Sequence, residues 1–378
     1  MEELIDRIYE AAALPEFWPA VLDELTAAGS GFATIMSTSR WLQNTGSLTS
    51  IAPYCTLGQG DWRWRASKDG VELTKQFFAG NWPQRNDRMD RLLRAYHPGF
   101  MVDLDIYTRE ELDREAIFKD FLRPRGLGWG VATAIPVPTG DMLVFDIERR
   151  LEAGPAGPET VRRLDMLRPH LARAGFLSCR LAFERMRAAV LALDQLGLPA
   201  CLIGHNLGIL AVNPRLEAML DRIIQDRCQR ISLVNRNADA LLAEALNQLC
   251  LPGNGSAVRS IPIPASDEEP PMILHLIPIK RAANDIFSGV TAILVVTPVV
   301  PAEVPTAEVL QGLFDLTPAE ARVARAVAKS ETIETIAKAF GVSEGTVRNQ
   351  LKAIFAKTGV TRQIDLALLL SGASAPGQ

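Results

Sequence analysis

The chain has 378 residues, of which 48% are hydrophobic and 22% charged, and a formal net charge of -4. These proportions are typical of a soluble globular protein and exclude a disordered or fibrous one, and the length predicts two or three domains. No apolar run approaches the roughly 20 residues that cross a bilayer. The N-terminal segment MEELIDRIYE lacks the basic start and apolar block of a signal peptide. We therefore expect a cytoplasmic protein with no membrane partner.

The first 155 residues predict an α+β domain with an antiparallel sheet, because segments with apolar residues at helical spacing are followed by extended ones. The last helix of the domain opens with a capping box, and its final strands form a hairpin. The predicted elements are helices over Glu2–Ala12 and Phe17–Ala28, extended segments over Phe32–Thr38 and Asp61–Arg65, a helix from Thr108–Glu111 to about Arg123, and strands over Val131–Val137 and Met142–Ile147.

A helical pattern then fills residues 156–196, interrupted at Pro169 and near Gly175. Its length is unusual for a surface helix, and it predicts a connector or a helix that pairs with a second chain. The candidate seam of such a pair is formed by leucines: Leu164, Leu171, Leu177, Leu181 and Leu191.

Residues 197–300 predict a second α+β domain, in which two strands and a helix opened by Asn213-Pro214 precede three more strands. This order of elements resembles a small PAS domain. The prolines of residues 301–314 predict a linker. The predicted strands are Ala200–Ile203, Ile209–Val212, Val258–Ile263, Met272–Lys280 and Val290–Thr297.

Residues 315–373 predict four helices around a tight turn. Thr317, Pro318 and Glu320 form a helix start with its capping box, and Gly341 can take the positive φ that such a turn requires. We expect Val342 to fill the corner between helices two and three, and Ser343 to cap helix three.

Helix three has two faces. At 100° per residue Val347, Leu351 and Ile354 share one side, and the polar residues Glu344, Arg348, Asn349 and Lys352 share the other. Residues 315–371 carry a net charge of +2, which leaves about -6 for the rest of the chain. This local positive charge is typical of a nucleic-acid-binding module on an acidic body.

The segment LTPAEARVARAVAKSETIETIAKAFGVSEGTVRNQLKAIFAKTGVTRQIDLALLL resembles the LuxR-type (GerE-like) helix-turn-helix domain. The resemblance implies a DNA-binding transcription regulator, commonly an activator, with RNA polymerase as a further candidate partner. It implies base readout by Arg348, Asn349 and Lys352, and contacts with the DNA backbone by Ser343, Thr346 and Lys357. It also implies a homodimer through helix four, whose apolar circumference independently predicts a covering partner. Candidate interface residues are Ile364, Leu368 and Ser371.

The region in front of this module allows several hypotheses. An antiparallel order of elements argues against a phosphoacceptor receiver, which has a parallel sheet. The order of elements and the segment AIFKDFLRPRGLGWG resemble a GAF-like sensor. An acyl-homoserine-lactone receptor stays an alternative, although its usual tryptophan and tyrosine four residues apart are missing. A small effector, apolar or aromatic, is expected to bind among aromatic side chains: Trp62, Trp64, Trp82, Tyr96, Tyr107 and Trp129.

Catalysis is the opposing hypothesis. The sequence has no HExxH motif and no phosphate-loop motif. Cys201 and His205 are the only pair that resembles a nucleophile and its base, and they lack a third group, so we expect no enzyme. The five cysteines are widely spaced and never in a CxxC pair, which predicts reduced thiols, no metal and no cofactor.

The predicted fold is thus multidomain: two α+β domains (GAF-like and PAS-like) with antiparallel sheets, joined by a long helix and followed by an all-α four-helix module.

Overall fold

The structure is a computed structural model. It describes residues 1–40, 63–204, 207–227, 230–249, 257–266, 269–279, 287, 289–299 and 304–372. By its internal contacts the chain divides into two compact units. The first comprises Met1–Leu191, Cys201–Ile261 and His275–Val295, and the second comprises Ala192–Ala200, Pro262–Leu274 and Val296–Gln378. The described residues form a mixed fold of helices and antiparallel sheets, as predicted.

In the described part of the N-terminal region there are seven α-helices and five strands. Helices one and two and the hairpin lie where the sequence predicts them, within a few residues. In chain order the elements are α1 (Glu2–Ala13), α2 (Trp18–Ala28), β1 (Ala33–Arg40), β2 (Arg63–Ala66), α3 (Gly70–Ala79), α4 (Arg88–Ala95), β3 (Met101–Val102), α5 (Asp103–Ile106), α6 (Arg109–Arg114), β4 (Leu127–Pro136), β5 (Asp141–Arg150) and α7 (Pro158–Gln195).

The helix predicted from Thr108 to about Arg123 is shorter than expected. Thr108 and Glu111 do form the capping box, but the helix ends at Arg114 because Glu115 adopts an extended backbone. A π-helical turn over Ile117–Leu122 then carries the chain to β4.

The five strands form one sheet in the order β2-β1-β5-β4-β3, and every pair in it is antiparallel. Strand residues alternate between the two faces, so the sheet has two distinct sides. One face carries Met36, Phe145 and Ile147 into a core with α1, α2 and α7. The opposite face is turned towards α3, α4 and α5, and Val144 packs there against Leu92.

Helix α7 is continuous through Pro169 and Gly175, where the sequence predicted interruptions. Its first half belongs to the N-terminal core, in which Leu164 and Leu171 are fully buried. These two leucines therefore do not form the seam with a second chain that their spacing suggested. The exposed apolar side chains of the helix include Phe176, Leu177 and Leu191.

The second α+β region contains a sheet in the order β10-β11-β12-β6-β7 and a two-stranded β8–β9 ribbon. Asn213 caps α8 as predicted, since its side chain accepts the amide hydrogen of Leu216 at 3.0 Å. The ribbon and α9 were not predicted. The elements are β6 (Ala200–Gly204), β7 (Ile209–Val212), α8 (Pro214–Glu217), β8 (Ile224–Arg227), β9 (Arg230–Leu233), α9 (Arg236–Leu249), β10 (Arg259–Ile263), β11 (Met272–Pro278) and β12 (Val290–Pro298).

One residue between β11 and β12 belongs to the N-terminal core. Phe287 is 2% exposed, and its ring centroid lies 5.9 Å from that of Trp18 on α2. Close by, Gly289 approaches Thr139 of the hairpin turn so closely that an added Cβ would lie 3.0 Å from Thr139 Cγ2. The core built by α1, α2 and α7 is therefore completed by a residue from more than a hundred positions downstream.

The C-terminal segment is all-helical. Five helices surround one core: α10 (Ala307–Phe314), α11 (Pro318–Ala328), α12 (Ile333–Phe340), α13 (Glu344–Thr358) and α14 (Gln363–Gly372). The sequence predicted a linker up to residue 314, but α10 is a helix whose Leu310 is fully buried in this core.

Candidate functional site

A cavity lies over the second face of the N-terminal sheet. Strands β1, β4 and β5 form its floor, and α3, α4, α5 and the π-helical turn form its walls. It encloses about 1100 Å³ of empty space, its open mouth included. Its lining is mostly apolar, with the aromatic side chains Trp64, Phe77, Phe78 and Phe121. This combination of an apolar lining and a few polar groups is typical of a small-molecule site.

A buried ionic cluster lies at the base of the cavity. Arg88 donates from Nε to Asp103 Oδ1 at 2.8 Å and from Nη1 to Glu148 Oε1 at 2.5 Å, and its Nη1 lies 3.6 Å from Asp146 Oδ2. The side chains of Arg88, Asp103 and Glu148 are at most 12% exposed. A buried charge needs such partners, because the low dielectric of the interior makes an isolated ion very costly.

Strand β4 leaves room for the cluster at Gly130. The Gly130 amide donates its hydrogen to Asp103 Oδ2 at 2.6 Å. A Cβ at this position would overlap Arg88 Nη2 and lie 2.8 Å from Arg88 Cζ. The guanidinium therefore occupies the place of the missing side chain, which explains a glycine in the middle of a buried strand.

The carboxyl groups of the cluster have perturbed acidities. Burial raises the pKa of Glu148 to about 8, against the attraction of Arg88 and with the support of the neighbouring Asp146 charge. Burial likewise raises the pKa of Asp103 and, on the cavity wall, of Asp90. Three carboxyl groups, those of Asp103, Asp146 and Glu148, thus share Arg88, and Asp90 adds a fourth carboxyl group to the lining.

A second ion-pair network holds α4 against α5 and α6. Tyr107 donates its hydroxyl hydrogen to Asp87 Oδ1 at 2.5 Å, and Arg91 bridges Asp87 and Glu111 at 2.7 and 2.9 Å. The Arg91 guanidinium also covers the Tyr107 ring at 4.1 Å. Although burial raises the pKa of Asp87, the hydrogen bonds from Tyr107 and Arg91 lower it overall. This network fixes the helix that carries Arg88.

The predicted ligand-binding aromatics occupy different places. Trp64 lines the cavity and stacks against Phe78 at 6.3 Å between ring centroids. Tyr107 and Trp82 are buried beside the cavity in the core that includes Phe121. Trp129 donates its indole hydrogen to the Leu151 carbonyl, Tyr96 is 69% exposed, and Trp62 lies outside the described residues. Their contact with an effector stays a prediction.

Sequence reasoning missed the ionic cluster. Its signal was the alternation Val144, Asp146, Glu148, which puts two acidic residues on the same face of a strand whose opposite face carries the apolar residues Leu143, Phe145 and Ile147. Charged residues on a sheet face that another layer covers need a partner or a ligand, so this pattern could have singled them out.

In the C-terminal segment α12 and α13 are joined by a short turn at Gly341, which has φ +67°. The predicted capping contacts are present: Thr317 and Glu320 form the capping box, and Ser343 accepts the Thr346 amide hydrogen at 3.1 Å. Val342 does not fill the corner between the helices, since it is 38% exposed.

Helix α13 shows the predicted division into two faces. Val347, Leu351 and Ile354 are buried in the C-terminal core, whereas Arg348, Asn349 and Lys352 are exposed. The Arg348 guanidinium lies 3.1 Å from Glu344 one turn earlier, an exposed pair of small energy. The exposed side of α13 therefore offers side-chain hydrogen-bond donors that are held only weakly by other groups of the segment.

Lys357 is engaged within the segment. Its Nζ donates to the Asp315 carbonyl and to Glu320 Oε2, both at 2.8 Å. The hydrogen bond from Lys357, followed by that from the Thr317 amide, lowers the pKa of Glu320. Ser343 and Thr346 are exposed, and their hydroxyl groups are hydrogen-bonded to each other at 2.9 Å.

Helix α14 is apolar on both sides. Leu366 and Leu370 are fully buried in the C-terminal core, while Ile364 and Leu368 are 66% and 68% exposed. Ser371 lies in the last turn of the helix, and its side chain is outside the described residues.

No family model matches the sequence, and no curated protein matches it. Among solved structures it is similar to CepR2 of Burkholderia cenocepacia, an N-acylhomoserine lactone dependent LuxR family transcription factor, with 15% identity and a TM-score of 0.33 over 48% of this chain and 97% of that one. It is also similar to Escherichia coli SdiA, with 10% identity and a TM-score of 0.31 over 95% and 90% of the two chains. A Vibrio cholera VqmA–ligand–DNA complex has 16% identity and a TM-score of 0.24 over 50% and 91%. At these low identities and TM-scores the function has to be inferred from the chain's own geometry.

The cysteine hypothesis has no support from the geometry. Cys201 is fully buried, and burial raises the pKa of its thiol, which disfavours the nucleophilic thiolate. His205, its predicted partner, lies outside the described residues. Within the described part of the chain no three potential ligands are grouped as a metal would need, and no helix is long and apolar enough to cross a membrane.

Proposed function

We propose that the chain is a sequence-specific DNA-binding transcription regulator that responds to a small effector. The observation that carries the proposal is the division of α13, which buries its apolar side and exposes Arg348, Asn349 and Lys352 next to a tight turn from α12. A helix presented in this way has the size and the polar side chains to enter the major groove.

The residue types on the exposed side favour base readout. Arginine can pair bidentately with guanine and asparagine with adenine, so Arg348 and Asn349 are assigned to base edges. Lys352, one turn beyond Arg348, is suited to a base or a phosphate. Ser343 and Thr346, at the N-terminus of α13, are assigned to the DNA backbone, where helix N-termini favour phosphate. Lys357 could contact the DNA backbone only if it exchanged its partner Glu320 for a phosphate.

A homodimer is proposed through α14. Ile364 and Leu368 leave an apolar stripe on a short terminal helix, and a second copy of that helix would cover it. The effector is assigned to the cavity over the N-terminal sheet, whose apolar and aromatic lining and buried polar groups are suited to a small molecule.

Selection from a pool of random DNA duplexes by the full-length protein tests the proposal, because the pool contains every short operator and none has to be chosen in advance. The wild type is expected to enrich one sequence with two-fold symmetry, as a symmetric dimer requires. On that sequence Arg348→Ala and Asn349→Ala should each cost about 1 to 3 kcal/mol, and much less on scrambled DNA.

Lys329→Ala provides a matched control, since Lys329 is an exposed lysine at the C-terminal end of α11 and not on α13. It should retain the preference for the selected sequence. Failure of the wild type to enrich any sequence would reject the proposal. If Arg348→Ala weakened selected and scrambled DNA equally, the exposed face of α13 would not read bases.

A further inference from the structure

Three carboxyl groups at the cavity have an oxygen atom whose hydrogen-bonding capacity is unused. Glu148 Oε2, Asp146 Oδ1 and Asp90 Oδ1 are buried from solvent and have no hydrogen-bond partner among the described residues. All three residues line the cavity, and the Glu148 side chain is only 7% exposed. A buried carboxylate oxygen without a donor is costly, so each of these atoms points to a donor that a bound molecule would bring.

The charges around the cavity are unbalanced. Among the described residues of its lining, Arg88 is the only cation, whereas four residues carry carboxyl groups: Asp90, Asp103, Asp146 and Glu148. The donors of Arg88 are directed to Asp103 and Glu148, so the guanidinium is already committed to protein carboxylates. An anionic molecule would find no uncommitted cation there, whereas a positive group would meet carboxylate oxygens.

The rest of the lining defines the body of the molecule. Trp64, Phe77, Phe78 and Phe121 contribute aromatic surface, and Leu73 and Met89 contribute aliphatic surface. Aromatic faces pack against apolar groups, and their quadrupole attracts cations. An apolar, preferably aromatic, skeleton therefore fits the walls, and a cationic end fits the carboxylates at the base.

We propose that the effector is an amphipathic amine, whose ammonium group binds between Asp146 and Glu148 while its apolar body lies against the aromatic wall. This inference rests on the proposed function, which assigns the effector to this cavity. An ammonium group has three donors, enough to satisfy Glu148 Oε2 and Asp146 Oδ1 together. Its positive charge would also lower the pKa of Glu148, which burial and the neighbouring charges of Asp146 and Asp103 raise.

The test compares ligands of one shape and different charge. The full-length protein is titrated calorimetrically with 4-phenylbutylamine, 4-phenylbutanol and 4-phenylbutyrate, which share a phenyl ring and chain but end in an ammonium, a hydroxyl and a carboxylate. The amine is expected to bind at least about 10-fold more tightly than the alcohol, a difference of about 1.4 kcal/mol, and the carboxylate weakest of all.

Two variants separate recognition from folding. Glu148→Gln removes one acceptor but also a partner of Arg88, whereas Asp146→Asn alters a carboxylate that lies 3.6 Å from Arg88 without a hydrogen bond. Asp146→Asn should therefore fold normally, lower the affinity for the amine by about 10-fold and leave the affinity for the alcohol unchanged. Asp113→Asn is the control, because Asp113 is an exposed carboxylate on α6 outside the cavity lining.

Each outcome decides the proposal. Preference for the amine that is lost in Asp146→Asn supports it. Equal binding of amine and alcohol, tighter binding of the carboxylate, or no binding of the amine overturns it. Binding of the alcohol or carboxylate in the cavity would still leave the effector site of the proposed function standing, and DNA selection by the same protein reports on that function independently.

Discussion

Gly130 is the position at which a single methyl group should disrupt the ionic cluster. In Gly130→Ala the new Cβ would overlap Arg88 Nη2, so the guanidinium has to leave Asp103 and Glu148. Breaking a buried ion pair costs about 3–5 kcal/mol, because it leaves uncompensated charges in the interior. For a domain of this size each kcal/mol lowers the melting temperature by about 2–4 °C. We therefore expect the melting temperature of the N-terminal region to fall by roughly 6–20 °C.

Intrinsic fluorescence measures this region selectively. All six tryptophans of the chain lie at or before Trp129, so thermal unfolding followed by tryptophan emission reports on the N-terminal region within the full-length protein. Gly157→Ala serves as the matched control, since a Cβ there would have no atom within 4 Å. Its melting temperature should stay close to that of the wild type.

A double-mutant cycle shows whether Arg88 carries the effect. In an Arg88→Met background the overlapping guanidinium is absent, so Gly130→Ala should cost no more than about 1 kcal/mol beyond Arg88→Met alone. An unchanged melting temperature in Gly130→Ala would refute the reasoning. Full additivity of the two substitutions would show that the methyl group acts on something other than Arg88.

Three further predictions concern acidity, assembly and the C-terminal segment. Folding raises the pKa of Glu148 from 4.5 to about 8, so between these pH values the folded form keeps a proton that the unfolded form loses. The stability of the N-terminal region should therefore fall as the pH rises from 5 to 8, by at most about 1.4 kcal/mol per pH unit. Glu148→Gln should flatten this pH dependence in thermal unfolding followed by fluorescence. Leu368→Lys should shift the protein from dimer to monomer in analytical ultracentrifugation and weaken DNA binding with it, and a variant that stays dimeric would disprove the α14 interface. Lys357→Ala should lower the unfolding free energy of the C-terminal segment by up to about 1 kcal/mol and leave the salt dependence of DNA binding unchanged; a salt slope reduced by about one per subunit would show that Lys357 leaves Glu320 for a phosphate.

Local chemistry explains what the sequence could predict. The hairpin of β4 and β5 follows from two extended apolar runs joined by a Pro-Thr-Gly-Asp turn, and the caps at Thr317 and Ser343 follow from side chains that bond their own backbone. The two faces of α13 follow from helical periodicity alone. In each case the deciding interactions lie within a few residues of one another.

The features that escaped prediction depend on distant parts of the chain. The contacts of Arg88 with Asp103 and Glu148 depend on the order of the strands, which the sequence does not show. Periodicity places Asp146 and Glu148 on one face of β5, but it does not show that a cavity lies over that face. The helix α10 was obscured by the prolines before it, although the spacing of its leucines is helical. Leu164 and Leu171 had a spacing equally suited to a partner chain and to the core that actually buries them.

Because Phe287 of the second α+β region is buried in the core of the first, neither region should be replaceable alone by a domain from another protein. A fragment that stopped after α7 would leave the space beside Trp18 unfilled, and loss of a buried phenylalanine side chain of this kind costs about 3–5 kcal/mol. Chimaeras that graft another sensor in front of the second sheet should fail unless they also supply a matching pocket for this ring. Insertions and deletions between β11 and β12 should be restricted for the same reason, although loops between adjacent antiparallel strands usually tolerate them.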